Sequence, residues 1–286
     1  MLTRRKKKEL TKLKLINKKN IIFEPQSKNT AAAILLSLLR FRNYPKTNLI
    51  ISPVDHLIEK EKEFYKAINT AQTAAKKGLI CTLGIKPTKP TPNFGYIQVK
   101  RQKFKGVFSV QKFIEKPKLK LAKKLISLGN CFYNGGIFVS TVATLMDEYK
   151  KYYSDYDYFV NNSKKGKILD VYKRIKSIPF DKAIMEKTAK AALVKANFSW
   201  KDFGNWQVIY EVLSKGKAKN VIKGNSFIYK GKNNFIYIGQ PKKKVLILGL
   251  EDILFIDTKD YSLLASRAQI DDLKSALAEF DKMANK

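Results

Sequence analysis

Short apolar segments alternate with helix-like segments along most of this chain, and this alternation restricts the fold more than any other feature. The apolar segment NLIISP at residues 48–53 is followed by a helical stretch at 60–77, which Gly78 ends, and then by the apolar segment LICTLGI. Strands that alternate with helices are typical of α/β proteins. We therefore predict an α/β fold with a largely parallel sheet.

Further segments extend the same pattern. NIIFEP predicts a short buried strand that Pro25 ends, and NTAAAILLSLLRF predicts a helix capped by Asn29 or Thr30. We also predict a helix at 119–128 and helical structure through 141–176. The first twenty residues are basic and place apolar residues at helical spacing, which is typical of one face of a helix.

The pattern changes after Gly216. Four short strand-like segments, FIYKG, FIYIG, VLILGL and ILFIDT, are separated by glycine, asparagine and lysine turns. An amphipathic segment at about 268–283 predicts a closing helix. We therefore predict two domains, a larger α/β domain at 1–216 and a small β-rich domain with a terminal helix at 217–286.

The formal net charge of +33 would suit a nucleic-acid-binding protein. Only seven of the 57 basic residues are arginine, however, and the lysines are spread along nearly the whole chain. Base recognition and bidentate phosphate contacts favour arginine. We therefore expect no specific nucleic-acid partner, but a general attraction for anionic ligands such as nucleotides and sugar phosphates.

The sequence also argues against two other classes for this chain, membrane proteins and zinc proteins. No apolar run is long enough to span a bilayer and no secretory signal is recognisable, so a cytoplasmic location without membrane attachment is the default expectation. Cys81 and Cys131 lie far apart, and His56 is the single histidine. These residues cannot supply a usual zinc site.

Asp55 follows the predicted strand NLIISP almost directly. Ligands of open α/β sheets bind at the carboxyl ends of strands, so Asp55 is a candidate metal ligand. Capping of the next helix is an equal alternative. His56 beside it is more often structural than a general base in such a position.

Three more segments carry polar residues at strand or helix ends. Glu115 and Lys116 end the strand FIEKP, where a surface ion pair is the alternative. Asn134 in YNGGIF precedes two glycines that allow close approach of a backbone, although a bulged strand would need the same residues. FDKAIMEKT brings Asp181, Glu186 and Lys187 near a helix start, which is a common charge pattern.

The segment NFSWKDFGNW at 197–206 holds both tryptophans of the chain around Asp202. In the simplest interpretation, Trp200 and Trp206 pack in a core beside a turn that Gly204 eases. In the other interpretation, the two rings support a functional acid at Asp202. This segment alone does not decide between them.

Seven of these segments follow one another in a fixed order: EPQSKNTAAAI, SPVDH, FGYIQV, FIEKP, YNGGIF, FDKAIMEKT and WKDFGNW. In this order they resemble the mannose-1-phosphate guanylyltransferases of the sugar-phosphate nucleotidyltransferase family, over nearly the whole chain. The resemblance implies a Rossmann-like nucleotidyltransferase sheet and a small C-terminal domain through which subunits can associate as a homo-oligomer. It also implies that GTP and mannose 1-phosphate react to give GDP-mannose and pyrophosphate.

The resemblance also implies roles for particular residues. Asp55 and Asp202 would hold Mg²⁺ and, together with Lys116, would be the catalytic residues. The nucleotide would lie at Asn29 and Thr30. The sugar phosphate would lie at the remaining positions: Gly95, Tyr96, Glu115, Lys116, Asn134 and Asp181. Because the attacking sugar-phosphate oxygen is already ionised, no general base is required, which further weakens a catalytic role for His56.

Some positions depart from the family pattern. Phe203 and Asn205 stand where smaller residues are usual, and Tyr133 and Gly135 stand where Trp and Ser are usual. A larger departure concerns the Gly-rich loop of the form GGxGTRxxPxxR, whose backbone amides hold the nucleotide phosphates in the family. No such segment occurs in this sequence.

We therefore expect a sheet without its first βα unit and a chain with little transferase activity on its own. In a split enzyme, a separate N-terminal polypeptide would supply the loop, and a start codon assigned too late is another explanation. The alternative functions are a non-catalytic sugar-phosphate-binding protein, a remnant without function, and a nucleotidyltransferase for another sugar or base.

Overall fold

The computed structural model describes residues 20–163, 168–204, 206–214, 216–217 and 219–284. The helix predicted near the amino terminus falls on residues 1–19, outside the described range. Contacts divide the chain into two units: Met1–Val54 with Ile58–Trp200 form the larger unit, and Asp55–Leu57 with Lys201–Lys286 form the smaller unit. The domain boundary expected after Gly216 stays a prediction.

The larger unit alternates helices with strands, which confirms the α/β class. Its helices are α1 (Asn29–Phe41), α2 (Glu61–Ala75), α3 (Leu119–Ser127), α4 (Val142–Tyr152), α5 (Tyr156–Ser163) and α6 (Ile168–Arg174), followed by a π-helical turn at Asp181–Met185. Its sheet strands are β1 (Asn48–Ile51), β3 (Ile80–Ile85), β4 (Tyr96–Phe104), β5 (Val107–Ile114), β6 (Cys131–Thr141) and β7 (Ala191–Lys195). Two short strands with residues from both units, β2 (His56–Glu59) and β8 (Ser199–Asp202), pair with each other.

The central sheet has the order β1-β6-β3-β7-β5-β4 and is mixed, so the prediction of a largely parallel sheet was wrong. Only β3 and β7 pair in parallel, and the other neighbours pair antiparallel. β4 and β5 are joined by a tight turn at Gly106, whose φ of 78° favours glycine. Antiparallel strands can be joined by a short hairpin, whereas parallel strands need a crossover that is usually helical. The alternation of helices with strands along the sequence therefore does not show that β4 and β5 run antiparallel.

One predicted strand is absent from the described residues. Residues 21–24 of NIIFEP form no regular strand. Their side chains are only partly buried or exposed, and no strand of the described sheet pairs with them. An apolar run without a pairing partner has no ladder of hydrogen bonds to hold it extended.

The sheet is covered on both faces, because alternate strand residues point to opposite sides. Ile80 of β3 packs in the core with Leu35 of α1 and Leu145 of α4. The next residue, Cys81, packs in the core that includes Ala71 of α2. Two apolar cores therefore pack against the two faces of the central sheet.

The smaller unit is built mainly from short parallel strands. Its elements are α7 (Trp206–Leu213), β9 (Val221–Lys223), β10 (Ser226–Tyr229), β11 (Phe235–Ile238), β12 (Val245–Leu248), β13 (Ile253–Asp257), β14 (Ser262–Ser266), a 3-10 turn at Arg267–Asp272 and α8 (Leu273–Ala284). The strands β9, β11 and β13 stack in parallel, as do β10 and β12, so the chain winds in successive coils. This arrangement confirms the predicted β-rich region and its terminal helix. In the described part of the chain, no helix has the length and apolarity that a bilayer crossing requires.

Candidate active site

Two carboxylates and an imidazole come together in the smaller unit. The ligand atoms of Asp55, His56 and Asp202 all lie within 4.8 Å of one another. Asp202 ends β8, and Asp55 directly precedes β2. The pairing of these two strands continues into a 2.8 Å hydrogen bond from the amide of Phe203 to the carbonyl oxygen of Asp55. Strand pairing thus brings together two acids that are far apart in the sequence.

The turn after β8 fits closely around both carboxylates. The amide of Gly204 donates a 2.7 Å hydrogen bond to Oδ1 of Asp202. A Cβ atom at position 204 would lie 2.9 Å from that oxygen and 3.6 Å from Oδ2 of Asp55. A side chain at this position would force the Asp202 carboxylate to shift, so glycine favours the close approach.

This donor set suits a hard divalent cation. Mg²⁺ prefers carboxylate oxygens, and Asp55 is exposed to solvent while Asp202 is partly exposed. Burial lowers the pKa of His56, although the nearby Asp202 and Asp55 act in the opposite direction. The residues fit the expected Mg²⁺, and their assignment as its ligands stays a prediction.

A second polar cluster lies in the larger unit around Asn134 of β6. Its side-chain nitrogen donates to Oδ1 of Asp181 at 2.8 Å. Its side-chain oxygen accepts hydrogen bonds from the hydroxyl of Thr82 at 3.0 Å and from the amide of Gly136 at 3.1 Å. These contacts define which way the amide of Asn134 points and hold Asp181 beside it.

Glu115 joins this cluster through Gly95. The amide of Asn134 donates a 2.8 Å hydrogen bond to the carbonyl oxygen of Gly95. A Cβ atom at position 95 would lie 2.6 Å from Oε2 of Glu115 and 3.2 Å from Cβ of Asn134. Glycine is therefore required if the Glu115 carboxylate is to stay next to Asn134.

The electrostatics of the cluster are dominated by Glu115, whose side chain is only 12% exposed. Burial, and then the neighbouring Asp181, raise the pKa of Glu115 to about 7, with a smaller opposing effect from Lys116. The ammonium of Lys116 lies 4.0 Å from Oε1 of Glu115. Glu186, which accepts a 2.9 Å hydrogen bond from the amide of Glu115, adds a third carboxylate. Asp181 also has a raised pKa, chiefly because it is buried.

The raised pKa of Glu115 predicts a pH-dependent stability. The carboxyl has an ordinary pKa of 4.5 and a pKa of about 7 in the folded protein, so its contribution is complete below 4.5 and is lost as the pH rises through 7. Relative to the Glu115→Gln variant, the parent chain should lose on the order of 2 kcal/mol of unfolding free energy between about pH 5 and about pH 8. Urea titrations across this range would measure the difference. The exposed Glu59→Gln change is the control, and parallel pH profiles for parent and Glu115→Gln would contradict the prediction.

Asn29 and Thr30 begin α1, but neither caps it as predicted. The residue before the helix is Lys28, and no side-chain cap is present there. The hydroxyl of Thr30 instead accepts a 2.8 Å hydrogen bond from the amide of Phe180, and Asn29 has a φ of 67°. The start of α1 is thereby tied to the residue that precedes Asp181. A role of Asn29 and Thr30 in nucleotide binding stays a prediction.

Two tyrosines hold the loop that leads to Gly95. The hydroxyl of Tyr96 donates to the carbonyl oxygen of Thr91 at 3.0 Å, and the hydroxyl of Tyr133 donates to the carbonyl oxygen of Lys89. Tyr96 is fully buried. The hydroxyl of Tyr96 is therefore occupied by its hydrogen bond to the loop. The residue beside Glu115 is the preceding one, Gly95.

Sequence reasoning missed two residues of the Asn134 cluster. Thr82 lies inside the buried strand β3 and shows no sequence signal beyond being a polar residue in an apolar run. Glu186 lies within FDKAIMEKT, but the sequence assigns it no role. The π-helical turn at Asp181–Met185 precedes it directly, and single π turns are frequent at functional sites.

The two tryptophans pack in different units. Trp200 contacts Phe94 with ring centroids 5.3 Å apart, and Trp206 contacts Phe235 with centroids 5.5 Å apart. These contacts support the core-packing interpretation for the rings. Asp202, which lies between the two tryptophans in the sequence, is still grouped with Asp55. Core packing of the rings and a functional role for Asp202 are therefore compatible.

Comparison with known proteins gives a family match and several relatives. The family described as nucleotidyl transferase matches residues 2–219. The alginate biosynthesis protein AlgA of Pseudomonas aeruginosa is 30% identical, over 91% of this chain and 56% of its own length. Mannose-1-phosphate guanylyltransferase 2 of Escherichia coli O157:H7 is 31% identical, over 92% of this chain and 58% of its own length. The chain thus spans less than two thirds of the length of these curated relatives.

Solved structures share the fold. A protein described as mannose-1-phosphate geranyltransferase from Thermus thermophilus superimposes with a TM-score of 0.78, at 24% identity, over 91% of this chain and 77% of that chain. A protein described as mannose-6-phosphate isomerase from Helicobacter pylori superimposes with a TM-score of 0.54, at 29% identity, over 62% of this chain and 72% of that chain.

Proposed function

Because the chain belongs to the nucleotidyl transferase family, we propose that it is a mannose-1-phosphate guanylyltransferase, which forms GDP-mannose and pyrophosphate from GTP and mannose 1-phosphate. One observation carries the proposal: Asp55 and Asp202 meet at a strand pair, and Gly204 leaves room beside them for both carboxylates. The names of curated relatives at about 30% identity support this choice of substrates.

Asp55 and Asp202 would hold the cation of this reaction. When bound, Mg²⁺ offsets the charge of the phosphates. An oxygen of the sugar phosphate attacks the α-phosphorus of GTP, the bond to the β-phosphate oxygen breaks, and pyrophosphate leaves with that electron pair. The attacking oxygen is already ionised and needs no proton acceptor, so His56 has no required role in proton transfer.

The Asn134 cluster suits a ligand with many hydroxyl groups. Glu115 has a pKa of about 7, so near neutral pH its carboxyl group is present both protonated and ionised and offers a donor as well as acceptors. Asp181 adds acceptor oxygens, and the exposed ammonium of Lys116 adds a positive charge for a phosphate. We assign the sugar phosphate to this cluster.

Transfer also needs a site for the nucleotide phosphates. Gly78 is the first glycine of the sequence, so no glycine-rich phosphate loop lies ahead of EPQSKNTAAAI within these residues. We propose that transfer requires such a loop in addition to these residues.

The test is GDP-mannose formation from GTP, mannose 1-phosphate and Mg²⁺ by the purified chain, alone and with a polypeptide that carries the loop. Calorimetry with mannose 1-phosphate is run in parallel. We expect sugar-phosphate binding by the chain alone and product only in the completed mixture. Robust product from the chain alone would contradict the need for an added glycine-rich loop. Absence of both binding and product would contradict the proposed function.

The second candidate is a sugar-phosphate-binding protein without transfer activity. It is favoured by the Asn134 cluster, whose hydrogen-bonding side chains could hold a sugar phosphate without a nucleotide site. Binding of mannose 1-phosphate without product in any mixture would support it. A panel of other sugar phosphates and nucleotides in the same assay would identify a nucleotidyltransferase with different substrates.

A further inference from the structure

Glu186 borders the Asn134 cluster but is not among the residues that would contact the sugar phosphate. It directly follows the π-helical turn at Asp181–Met185, and its amide donates a 2.8 Å hydrogen bond to the carbonyl oxygen of Asp181. The three residues before it are buried in the core that covers one face of the sheet: Ala183, Ile184 and Met185. The backbone of Glu186 is therefore anchored on a rigid support next to Asp181.

The side chain of Glu186 reaches a strand end that lies 71 residues away in the sequence. Pairing of β5 with β4 ends at Ile114, so the next amide, that of Glu115, lies beyond the strand ladder. This amide donates its 2.9 Å hydrogen bond to Oε1 of Glu186. Two acids of the cluster, Asp181 and Glu115, are thus joined through one residue, by its backbone on one side and by its carboxylate on the other.

The turn that follows Glu115 is strained. Lys116 has a φ of 46°, in the left-handed region that residues other than glycine rarely adopt. The next residue, Pro117, is buried, and a residue before proline normally takes an extended conformation with negative φ. A strained conformation persists only where the surrounding structure holds it. The hydrogen bond from Glu115 to Glu186 is such a restraint, directly before the strained residue.

We propose that Glu186 is a positioning residue of the sugar-phosphate site, whose carboxylate holds the turn at Glu115 and Lys116 next to Asp181. The proposal rests on the assignment of the sugar phosphate to the Asn134 cluster. In the held turn, the ammonium of Lys116 lies 4.0 Å from Oε1 of Glu115, so a single ligand can meet both side chains. Without the restraint, the turn can relax towards the extended conformation, and the two side chains would separate.

Glu186 also contributes to the electrostatics around Glu115. Burial is the main cause of the raised pKa of Glu115; Asp181 and Glu186 raise it further, whereas Lys116 and Lys182 lower it. Glutamine at position 186 would keep an oxygen that accepts the hydrogen bond but would remove the charge. Substitution can therefore separate the hydrogen bond of Glu186 from its charge.

The test combines calorimetry with mannose 1-phosphate and hydrogen exchange at the Glu115 amide, followed by NMR. Glu186→Ala should weaken binding and speed this exchange at least about tenfold each, because a hydrogen bond to a charged acceptor is worth at least that change in an equilibrium constant. Glu186→Gln should keep both values within about threefold of the parent, because the acceptor oxygen remains. It should also lower the pKa of Glu115, which NMR of labelled glutamate carboxyl groups would follow.

Glu279→Ala and Glu279→Gln are the matched controls, since Glu279 is an exposed glutamate of the smaller unit, and both should leave the two measurements unchanged. Circular dichroism would verify that each variant is folded. Parent-like binding or unchanged exchange in Glu186→Ala would overturn the proposal. Equal loss of binding in Glu186→Gln and Glu186→Ala would overturn it as well, because the charge alone would then matter. A parent chain that protects the Glu115 amide but does not bind mannose 1-phosphate would contradict the proposed function, and this inference with it.

Discussion

Replacing Asp55 and Asp202 together by asparagine should weaken divalent-cation binding by the chain at least about 100-fold. The two carboxylates would supply the hard, charged oxygen ligands, and the neutral amide oxygens of asparagine attract Mg²⁺ far less. Titration of Mn²⁺ followed by electron paramagnetic resonance would measure the affinity directly. This measurement uses the purified chain and does not depend on transferase activity.

Two further variants sharpen this test. Asp147→Asn removes an exposed carboxylate on α4 and should leave Mn²⁺ binding unchanged. Gly204→Ala keeps both carboxylates but places a Cβ atom 2.9 Å from Oδ1 of Asp202, so we expect about tenfold weaker binding. Parent-like affinity in the double variant of Asp55 and Asp202 would show that these residues are not the metal ligands.

Replacing Phe180 by alanine should lower the free energy of unfolding by about 3–5 kcal/mol. The ring of Phe180 is fully buried, with its centroid 5.0 Å from that of Phe138 and 5.9 Å from that of Tyr149. Its removal leaves a cavity in the core that joins α1 and α4 to the sheet. Urea unfolding followed by circular dichroism would measure the loss from the shift of the midpoint.

The same experiment has an internal control and a consequence for the site. Phe180→Leu keeps most of the apolar volume and should cost no more than about 1.5 kcal/mol. Tyr44→Ala, at a side chain that is 64% exposed, should change stability by less than about 0.5 kcal/mol.

Because Phe180 directly precedes Asp181, the Phe180→Ala variant should also bind mannose 1-phosphate less tightly. A loss below about 1 kcal/mol would mean that the core closes around the missing ring.

Periodicity predicted the individual elements well, because helices and strands bury apolar residues at different spacings. The segments NLIISP and LICTLGI form β1 and β3, and the stretch at 60–77 contains α2. Strand direction was predicted wrongly for β5 and β6, since the sequence does not contain the pairing information that separates a hairpin from a crossover. The strand predicted at NIIFEP was wrong for a related reason, because an apolar run becomes a strand only when another strand pairs with it.

For the candidate site, the sequence by itself determined which residue types stand at strand ends and turns: Asp55, Asp202, Glu115 and the glycines beside them. Only the tertiary structure decided which of these meet. Asp55 reaches Asp202 through the pairing of β2 with β8, and Gly95 reaches Glu115 where β4 pairs with β5. The hydrogen bond from the Thr82 hydroxyl to Asn134 was likewise revealed only by the tertiary structure. The physical reason is that contacts between distant residues depend on strand register and core packing, which are properties of the whole fold.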